Sequence, residues 1–225
     1  MRFDGIIFDF NGVLWWDTAL QGEAWSRYAA MLRGRPLSAA EIGEHVVGRD
    51  NRYILNYLTG QQFQGRELED HTDRKETLYR NLCLEQGDDF CLSPGAMELL
   101  DWLQAHRIGR AIATSAGRDN VLFYYIHMGL WRWFDLENII YDDNLMATKP
   151  APDPYLLAAR RLELPPEQCA AVEDSRHGIQ AARSASIGCI VALGVPEAHE
   201  SLSKLDGVQY VVENLGQIPV EELFI

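Results

Sequence analysis

Polar residues stand at the ends of several apolar segments that are typical of β-strands. They are Asp9, Thr114, Lys149 and the adjacent pair Glu173-Asp174. Carboxylates suit a hard cation such as Mg²⁺, and a hydroxyl group together with an ammonium group suits a phosphate. In open α/β sheets, ligands bind beyond the carboxyl ends of the strands. Together, these residues predict a phosphate-and-metal site at one edge of a sheet.

The segments around these residues alternate between strand and helix patterns from residue 108 onward. The predicted strands are Gly5–Phe10, Ile108–Thr114, Glu137–Tyr141, Cys169–Glu173, Ile187–Ala192 and Val208–Val212. The predicted helices between them are Asp119–Met128, Asp153–Leu162 and Arg176–Ser186. Strands that alternate with helices indicate parallel βαβ units. The pattern therefore predicts an α/β fold with a doubly wound parallel sheet.

The first strand has an alternative interpretation, because Asn11-Gly12 between apolar residues is a strong β-hairpin signal. A hairpin would pair Gly5–Phe10 with Val13–Trp16 and leave Asp9 without a chemical role. However, residues 6–8 are consecutive apolar residues, which is typical of a strand buried on both faces. The polar residues at the other strand ends decide against the hairpin.

Residues 18–89 differ from the rest, since they are helical in period, poor in strand patterns and richer in charge. The predicted helices are Thr18–Arg33, Ser38–Val47, Asn51–Thr59 and Leu68–Glu85. Asp17 or Thr18 can cap the first helix, and Ser38 with Glu41 forms a capping box for the second. We expect a helical domain at 17–89, inserted into an α/β core domain of residues 1–16 and 90–225.

Composition restricts the possible partners. The chain of 225 residues has a formal net charge of −13 and only three lysines. This charge opposes binding to nucleic acid or to an anionic membrane, so we expect neither as a partner. No apolar segment approaches the length of a membrane span, the first residues do not form a signal peptide, and the four cysteines form no CxxC pair. We expect a cytoplasmic protein with reduced thiols.

Four strings, in order along roughly the whole chain, resemble the motifs of the haloacid dehalogenase-like (HAD) hydrolase superfamily. They are FDFNGVL, AIATS, KPAPDPY and VEDSRHGIQAA. The helical insertion stands where the phosphoglycolate phosphatase and β-phosphoglucomutase-like branch has an α-helical cap domain. The resemblance implies a Rossmann-like core and a Mg²⁺-dependent phosphatase or phosphotransferase that acts on a small phosphorylated metabolite. The resemblance also implies a monomer or a dimer, since this branch contains both.

The resemblance also implies roles for individual residues. Asp9 would be the nucleophile that forms an aspartyl-phosphate. Asp9, Asp174 and the main-chain carbonyl of Asn11 would bind Mg²⁺, with Glu173 assisting through water. Taken singly, Glu173-Asp174-Ser175 could instead be a helix N-cap with favourably placed acids.

Phosphate binding would fall to residues of the second and third motifs. Thr114 would donate its hydroxyl group, and Lys149 would neutralise charge between the nucleophile and the phosphate. Ser115 and Ala116, at a predicted helix start, would offer N–H groups. Singly, Thr114-Ser115 could be a helix cap and Lys149 a solvated loop lysine.

Asn11 departs from the family pattern, because the phosphatases and mutases usually have an aspartate there that transfers protons. Asparagine cannot do so near neutral pH. We therefore expect slow hydrolysis of ordinary phosphate monoesters. Three explanations remain open: a natural low-activity or retooled enzyme, a substitution introduced to trap a complex, and deamidation at Asn11-Gly12. The alternative function is a catalytically silent member that binds a phosphorylated ligand or a protein partner.

The inserted domain would supply substrate specificity. Arg49 and Arg52 are the candidate substrate-binding residues, because arginine suits a second anionic group, and Gly48 could turn the chain beside them. Two other chemistries of the superfamily are disfavoured. Dehalogenases need no metal, so the acid pair Glu173-Asp174 argues against that chemistry. Phosphonate hydrolysis of the family's kind needs a lysine in the cap domain, and we expect Lys75 to lie on a solvated helix face instead.

Overall fold

The computed structural model describes residues 2–46, 49–143 and 145–225. Within these, the chain divides into two compact units, Met1–Trp16 with Cys91–Ile225, and Asp17–Phe90. The predicted helix end at Val47 and the predicted turn at Gly48 lie outside the described residues. That the two units act as a catalytic core and a substrate-binding cap stays a prediction.

The first unit contains a six-stranded sheet, in which every recorded strand pairing is parallel. Its order is β3-β2-β1-β4-β5-β6, where the strands are β1 Gly5–Phe8, β2 Gly109–Gly117, β3 Ile139–Asp142, β4 Cys169–Glu173, β5 Cys189–Leu193 and β6 Val208–Val212. This confirms the predicted fold class. It also excludes the hairpin, because β1 pairs in parallel with β2 and β4.

The second unit is helical in its described residues. Its helices are α1 Thr18–Arg33, α2 Ala39–His45, α3 Asn51–Thr59 and α4 Gly65–Glu85. The Ser38–Glu41 capping box is present, with both reciprocal hydrogen bonds. Asp17 precedes α1, but its side chain makes no cap hydrogen bond, contrary to one of the two predictions for this helix start. Its carboxylate instead accepts hydrogen bonds from the Tyr79 hydroxyl group and the Gln21 amide.

Helices also accompany the sheet in the first unit. They are α5 Ala96–Ala105, α6 Arg118–His127, α7 Asp153–Arg161, α8 Arg176–Ser184, α9 Pro196–Ser203 and α10 Val220–Phe224. Every residue of β1, β4 and β5 is buried, as expected for parallel strands covered on both faces. No helix among the described residues is long and apolar enough to cross a membrane.

Lys75 of α4 is buried, so its prediction as a solvated residue is wrong. Its side chain is 2% exposed, and its Nζ donates to Gln21 Oε1 at 2.6 Å and to Glu76 Oε1 at 3.0 Å. The ring centroids of Trp25 and Tyr79 lie 5.1 and 5.4 Å from Nζ. Lys75 shares a helix face with Tyr79, four residues later, and these aromatic and polar partners compensate for the loss of water.

Candidate functional site

Three acidic side chains meet at the carboxyl ends of β1 and β4. Asp9 directly follows β1, and its N–H donates to Val172 O of β4 at 3.0 Å. Glu173 ends β4, and Asp174 follows it. One carboxylate oxygen from each of Asp9, Glu173 and Asp174 lies within 4.8 Å of the others. The strand order reverses beside β1, which is where open α/β sheets form a ligand crevice.

A tight loop brings the main chain after Asp9 against Asp174. The Gly12 N–H donates to Trp15 O at 2.7 Å, and the Trp15 N–H donates to Phe10 O at 3.0 Å. Gly12 has φ +89°, and a Cβ at this position would overlap Asp174 Oδ2. Only glycine therefore permits this close approach between the loop and the carboxylate.

Lys149 joins two of the three carboxylates. Its Nζ donates to Asp9 Oδ1 at 2.7 Å and to Glu173 Oε1 at 2.5 Å. Its side chain is 6% exposed, which excludes a solvated loop lysine. Burial lowers the pKa of Lys149, but the charges of Asp9 and Glu173 outweigh burial and hold the pKa above its ordinary value. Lys149 thus carries a positive charge within the acidic cluster.

Glu173 is fully buried and is held by donors on both of its carboxylate oxygens. Oε1 accepts from the Tyr155 hydroxyl group at 2.8 Å, and Oε2 accepts from Ser175 Oγ at 3.1 Å. A Cβ at Gly178 would overlap this carboxylate. Ser175 also caps α8, as the alternative interpretation of this string expected, since its Oγ accepts from the Gly178 N–H at 3.0 Å.

Tyr155 was not among the predicted site residues, although it ends the KPAPDPY string. It lies on α7 without exposure, and burial followed by the charge of Glu173 raises its pKa well above 10.0. Its hydroxyl group therefore remains a hydrogen-bond donor. The ring centroid of Tyr155 lies 5.1 Å from Lys149 Nζ. Strand-end reasoning could not find Tyr155, because its position depends on how α7 packs.

The predicted phosphate-binding segment follows the second strand. Thr114 is 4% exposed, and its Oγ1 accepts from the Ala116 N–H at 3.1 Å. The predicted strand end at Thr114 is wrong, because β2 continues to Gly117; Ser115 and Ala116 lie at the end of β2, just before α6 begins at Arg118. The pairing of β2 with β3 is irregular here, which lets extended chain continue past the expected strand end.

Asn11 lies beside α6. Its Nδ2 donates to the Tyr124 hydroxyl oxygen at 3.2 Å. The Tyr124 ring is stacked on Phe10, with the ring centroids 4.4 Å apart and 18° between the planes. Tyr124 was also missed, because no motif contains it and only the packing of α6 brings it to the loop.

The cluster has the chemistry of a cation site. Burial raises the pKa of Asp9 to about 7, against the charge of Lys149, and burial with the charge of Asp9 raises the pKa of Asp174 to about 8. Because these pKa values lie near neutral pH, both carboxyl groups hold part of their protons when no cation is bound, and a cation would displace those protons. Carboxylate oxygens are the ligands that Mg²⁺ and Ca²⁺ prefer, so these residues fit a divalent cation.

A family model described as "haloacid dehalogenase-like hydrolase" matches residues 3–186. The chain belongs to the haloacid dehalogenase-like hydrolase family. This confirms the resemblance found in the motifs. A HAD hydrolase of family IA, variant 3, from Entamoeba histolytica has a structure with TM-score 0.91 and 31% identity, covering 99% of this chain and 97% of that one. The fold and the family thus agree over nearly the whole chain.

Other HAD relatives include named phosphatases. The phosphorylated carbohydrates phosphatase of Thermotoga maritima is 30% identical over 188 residues, which are 82% of each protein. Hexitol phosphatase A of Escherichia coli is 27% identical over 216 residues, which are 96% of this chain and 94% of that protein. A Deinococcus radiodurans HAD family hydrolase, solved with bound phosphate and sodium, has TM-score 0.73 and 28% identity, covering 98% of this chain and 95% of that one. These matches confirm the prediction of an enzyme.

The two arginines predicted to bind substrate lie in the second unit of this HAD protein. Arg49 and Arg52 are exposed, and the Arg49 guanidinium carbon lies 4.8 Å from the Tyr53 ring centroid. Tyr53 in turn is stacked with His45, at 6.2 Å between centroids. The contact with Tyr53 restricts Arg49 on one side, and a role of either arginine in substrate binding stays a prediction.

Proposed function

We propose that this HAD enzyme is a phosphatase or phosphotransferase that acts on a small phosphorylated metabolite through an aspartyl-phosphate on Asp9. The observation that carries the proposal is the convergence of Asp9, Asp174 and Lys149 at the carboxyl ends of β1 and β4. The relatives named for phosphorylated carbohydrates and hexitols support a sugar or polyol phosphate as the substrate class.

In the first step, a carboxylate oxygen of Asp9 attacks phosphorus as the bond to the leaving oxygen breaks. Lys149, 2.7 Å from Asp9 Oδ1, offsets the charge of the nucleophile and of the phosphate. The Thr114 hydroxyl group and the main-chain N–H groups of Ser115 and Ala116 would donate hydrogen bonds to the phosphate oxygens, and the Ala116 N–H would exchange its present acceptor, Thr114 Oγ1, for the phosphate. Water, or a second alcohol in a transfer, then attacks phosphorus and loses a proton to solvent, while the bond between phosphorus and the Asp9 oxygen breaks and restores the carboxylate. Splitting one displacement into two in this way is nucleophilic catalysis.

Asp9, Asp174 and the main-chain carbonyl of Asn11 would hold Mg²⁺. When bound, the ion compensates charge that develops on the transferred phosphoryl group. Glu173 contributes its charge, assists through water, and orients Lys149, since Lys149 and Tyr155 both donate to its Oε1. The raised pKa values of Asp9 and Asp174 support this assignment. Burial disfavours the ionised forms of both carboxyl groups, and a bound cation would stabilise those ionised forms.

Asn11 sets the expected rate. Its amide offers a hydrogen bond to the leaving oxygen but no proton, so substrates with stable leaving anions react faster in the first step than alkyl phosphates. The second step lacks a base for the attacking water, so phosphorylated Asp9 accumulates. Arg49 and Arg52 would bind a second anionic or polar group of the substrate.

The test uses p-nitrophenyl phosphate and acetyl phosphate, with and without Mg²⁺. We expect Mg²⁺-dependent phosphate release and a phosphoryl group on the peptide that contains Asp9. Asp9→Asn should abolish both, whereas the matched variant Asp4→Asn, at an exposed acid before β1, should retain both. Release that persists in Asp9→Asn would contradict the proposal.

Asn11 also favours a second candidate, a catalytically silent member that binds a phosphorylated ligand or a protein partner. The same experiment separates the two functions. The absence of both turnover and phosphorylated Asp9, together with a rise in melting temperature on adding a sugar phosphate, would favour the silent protein.

A further inference from the structure

Position 11 is contacted by a residue that has no part in the proposed reaction. Tyr124 of α6 is 1% exposed, and its hydroxyl oxygen accepts from Asn11 Nδ2 at 3.2 Å. Its ring is stacked on Phe10 at 4.4 Å between centroids. Tyr124 therefore contacts two consecutive residues of the loop that leaves Asp9, one by a hydrogen bond and one by its ring face.

We propose that Tyr124 is a positioning residue, which fixes the Asn11 carboxamide in the site and affects phosphoryl transfer through Asn11 alone. The kinetic part of this inference rests on the proposed function. A carboxamide has a donor end and an acceptor end, so binding its Nδ2 to a buried hydroxyl group fixes where Oδ1 can lie. The orientation of Asn11 matters because this residue lies only two positions after the nucleophile Asp9. A displacement of a group in an active site by about 1 Å can cost ~10²-fold in rate.

The same contact affects the chemical stability of Asn11-Gly12. In deamidation, the Gly12 main-chain nitrogen attacks Asn11 Cγ, and the side-chain nitrogen leaves as ammonia with the Gly12 N–H proton. Water then opens the cyclic imide to aspartate or isoaspartate. In the structure the Gly12 N–H is bound to Trp15 O at 2.7 Å, and the Asn11 amide is bound to Tyr124. Since both reacting groups are held, the folded chain should keep Asn11 as an amide.

The first experiment needs no enzymatic activity. Deamidation at Asn11 is followed by peptide mass spectrometry during incubation at mildly alkaline pH, in the wild type, Tyr124→Phe and Tyr125→Phe. Tyr125 is the matched control, because it is the next residue on α6 and its hydroxyl group donates to Phe134 O at 3.2 Å instead. We expect Asn11 to deamidate about 3- to 10-fold faster in Tyr124→Phe, because the loss of one hydrogen bond changes a rate by about this factor. In Tyr125→Phe, the rate should match that of the wild type. Equal rates in all three folded proteins would overturn the proposal.

The second experiment measures kcat and KM for acetyl phosphate with Mg²⁺. We expect Tyr124→Phe to lower kcat/KM about 3- to 10-fold, because Asn11 acts in the first step, and to leave kcat unchanged, because the second step limits turnover. We expect Asn11→Ala to lower kcat/KM, and adding Tyr124→Phe to Asn11→Ala to cause no further loss of kcat/KM. Additive losses would show that Tyr124 acts independently of Asn11 and would overturn the inference.

The two experiments also separate this inference from the proposed function. A wild type without turnover would contradict the proposed function, whereas the deamidation rates would still decide whether Tyr124 fixes Asn11. Melting curves of each variant show that it is folded. If Tyr124→Phe does not fold, Tyr124→Met, which also lacks the hydroxyl group, replaces it in both experiments, with the same outcomes supporting or overturning the inference.

Discussion

At the scale of single residues, the identity of residue 11 is the feature that most directly sets the expected rate. A carboxyl group at this position could protonate the leaving oxygen and later accept a proton from water. Such general acid–base catalysis typically contributes about 10²–10⁴-fold. The loop accommodates a carboxylate at position 11 sterically, because aspartate and asparagine have nearly the same shape, and Tyr124 can donate as well as accept.

We therefore expect Asn11→Asp to accelerate hydrolysis of an alkyl phosphate such as glycerol phosphate by about 10-fold or more. The gain for p-nitrophenyl phosphate should be smaller in the first step, since its leaving group needs no proton. Phosphate release is measured for both substrates, with Asn138→Asp as the control. Residue 138 precedes β3 and therefore lies at the amino ends of the strands, opposite the acidic cluster. An alkyl phosphatase of ordinary rate in the wild type, with no gain in Asn11→Asp, would show that residue 11 does not limit the reaction.

At the scale of elements, the sequence predicts an element best where its apolar pattern agrees with its final packing. The strands β4 and β6 and the helices α1 and α3 have the predicted bounds. The helices α5, α9 and α10 were not predicted. The start of α5 carries no cap signal, because it follows Gly95 at φ +80° without a side-chain cap, and α10 has only five residues.

The same distinction holds for the site. Asp9, Glu173 and Asp174 were predicted to lie together because parallel strands end at one edge of the sheet, and that geometry follows from the strand pattern alone. Tyr155 and Tyr124 are contributed by helix faces, whose direction depends on tertiary packing. Lys75 shows the limit for charged residues, since sequence alone does not reveal a buried partner set.

Helix α8 offers a prediction at this scale. Gly→Ala in a helix ordinarily stabilises a protein by about 0.5–1 kcal/mol. At Gly178 a Cβ would overlap the Glu173 carboxylate, so we expect Gly178→Ala to destabilise the fold by about 1–3 kcal/mol and to lower kcat by displacing Glu173 and Lys149. Gly43→Ala on α2, where a Cβ meets nothing within 4 Å, should be stabilising. Urea unfolding of both variants checks this, and a stabilised Gly178→Ala would show that Glu173 is not held against α8.

At the scale of the whole molecule, lysine is scarce, and the side chains of the three lysines differ in their exposure. Lys75 and Lys149 have side chains 2% and 6% exposed, whereas that of Lys204 is 70% exposed. Reductive methylation of the native protein, read by peptide mass spectrometry, should therefore modify Lys204 and spare the other two lysines until urea unfolds the chain. Rapid native modification of Lys149 would contradict its position between Asp9 and Glu173.

The acidic cluster also couples the stability of the metal-free protein to pH. Burial raises the pKa of Asp9 to about 7 and that of Asp174 to about 8, from 3.8. Between about pH 4 and pH 8, the folded state therefore holds more protons than the unfolded state. The free energy of unfolding must then fall as pH rises, by up to about 1.4 kcal/mol per pH unit for each proton. The contribution of these two carboxyl groups to the free energy of unfolding is fully present below pH 4 and is lost above pH 8.

Urea unfolding in EDTA from pH 5 to 9 should show this fall in the wild type, and a shallower fall in Asp174→Asn, which removes one of the two raised pKa values. Asp4→Asn, at an exposed acid outside the cluster, should keep the wild-type slope. Mg²⁺ should stabilise the wild type more at pH 8 than at pH 5.5, because a divalent cation binds ionised carboxylates and competes with protons for them. Equal slopes in the wild type and Asp174→Asn would mean that Asp174 does not share a charge cluster with Asp9, and the proposed metal site would lose its basis.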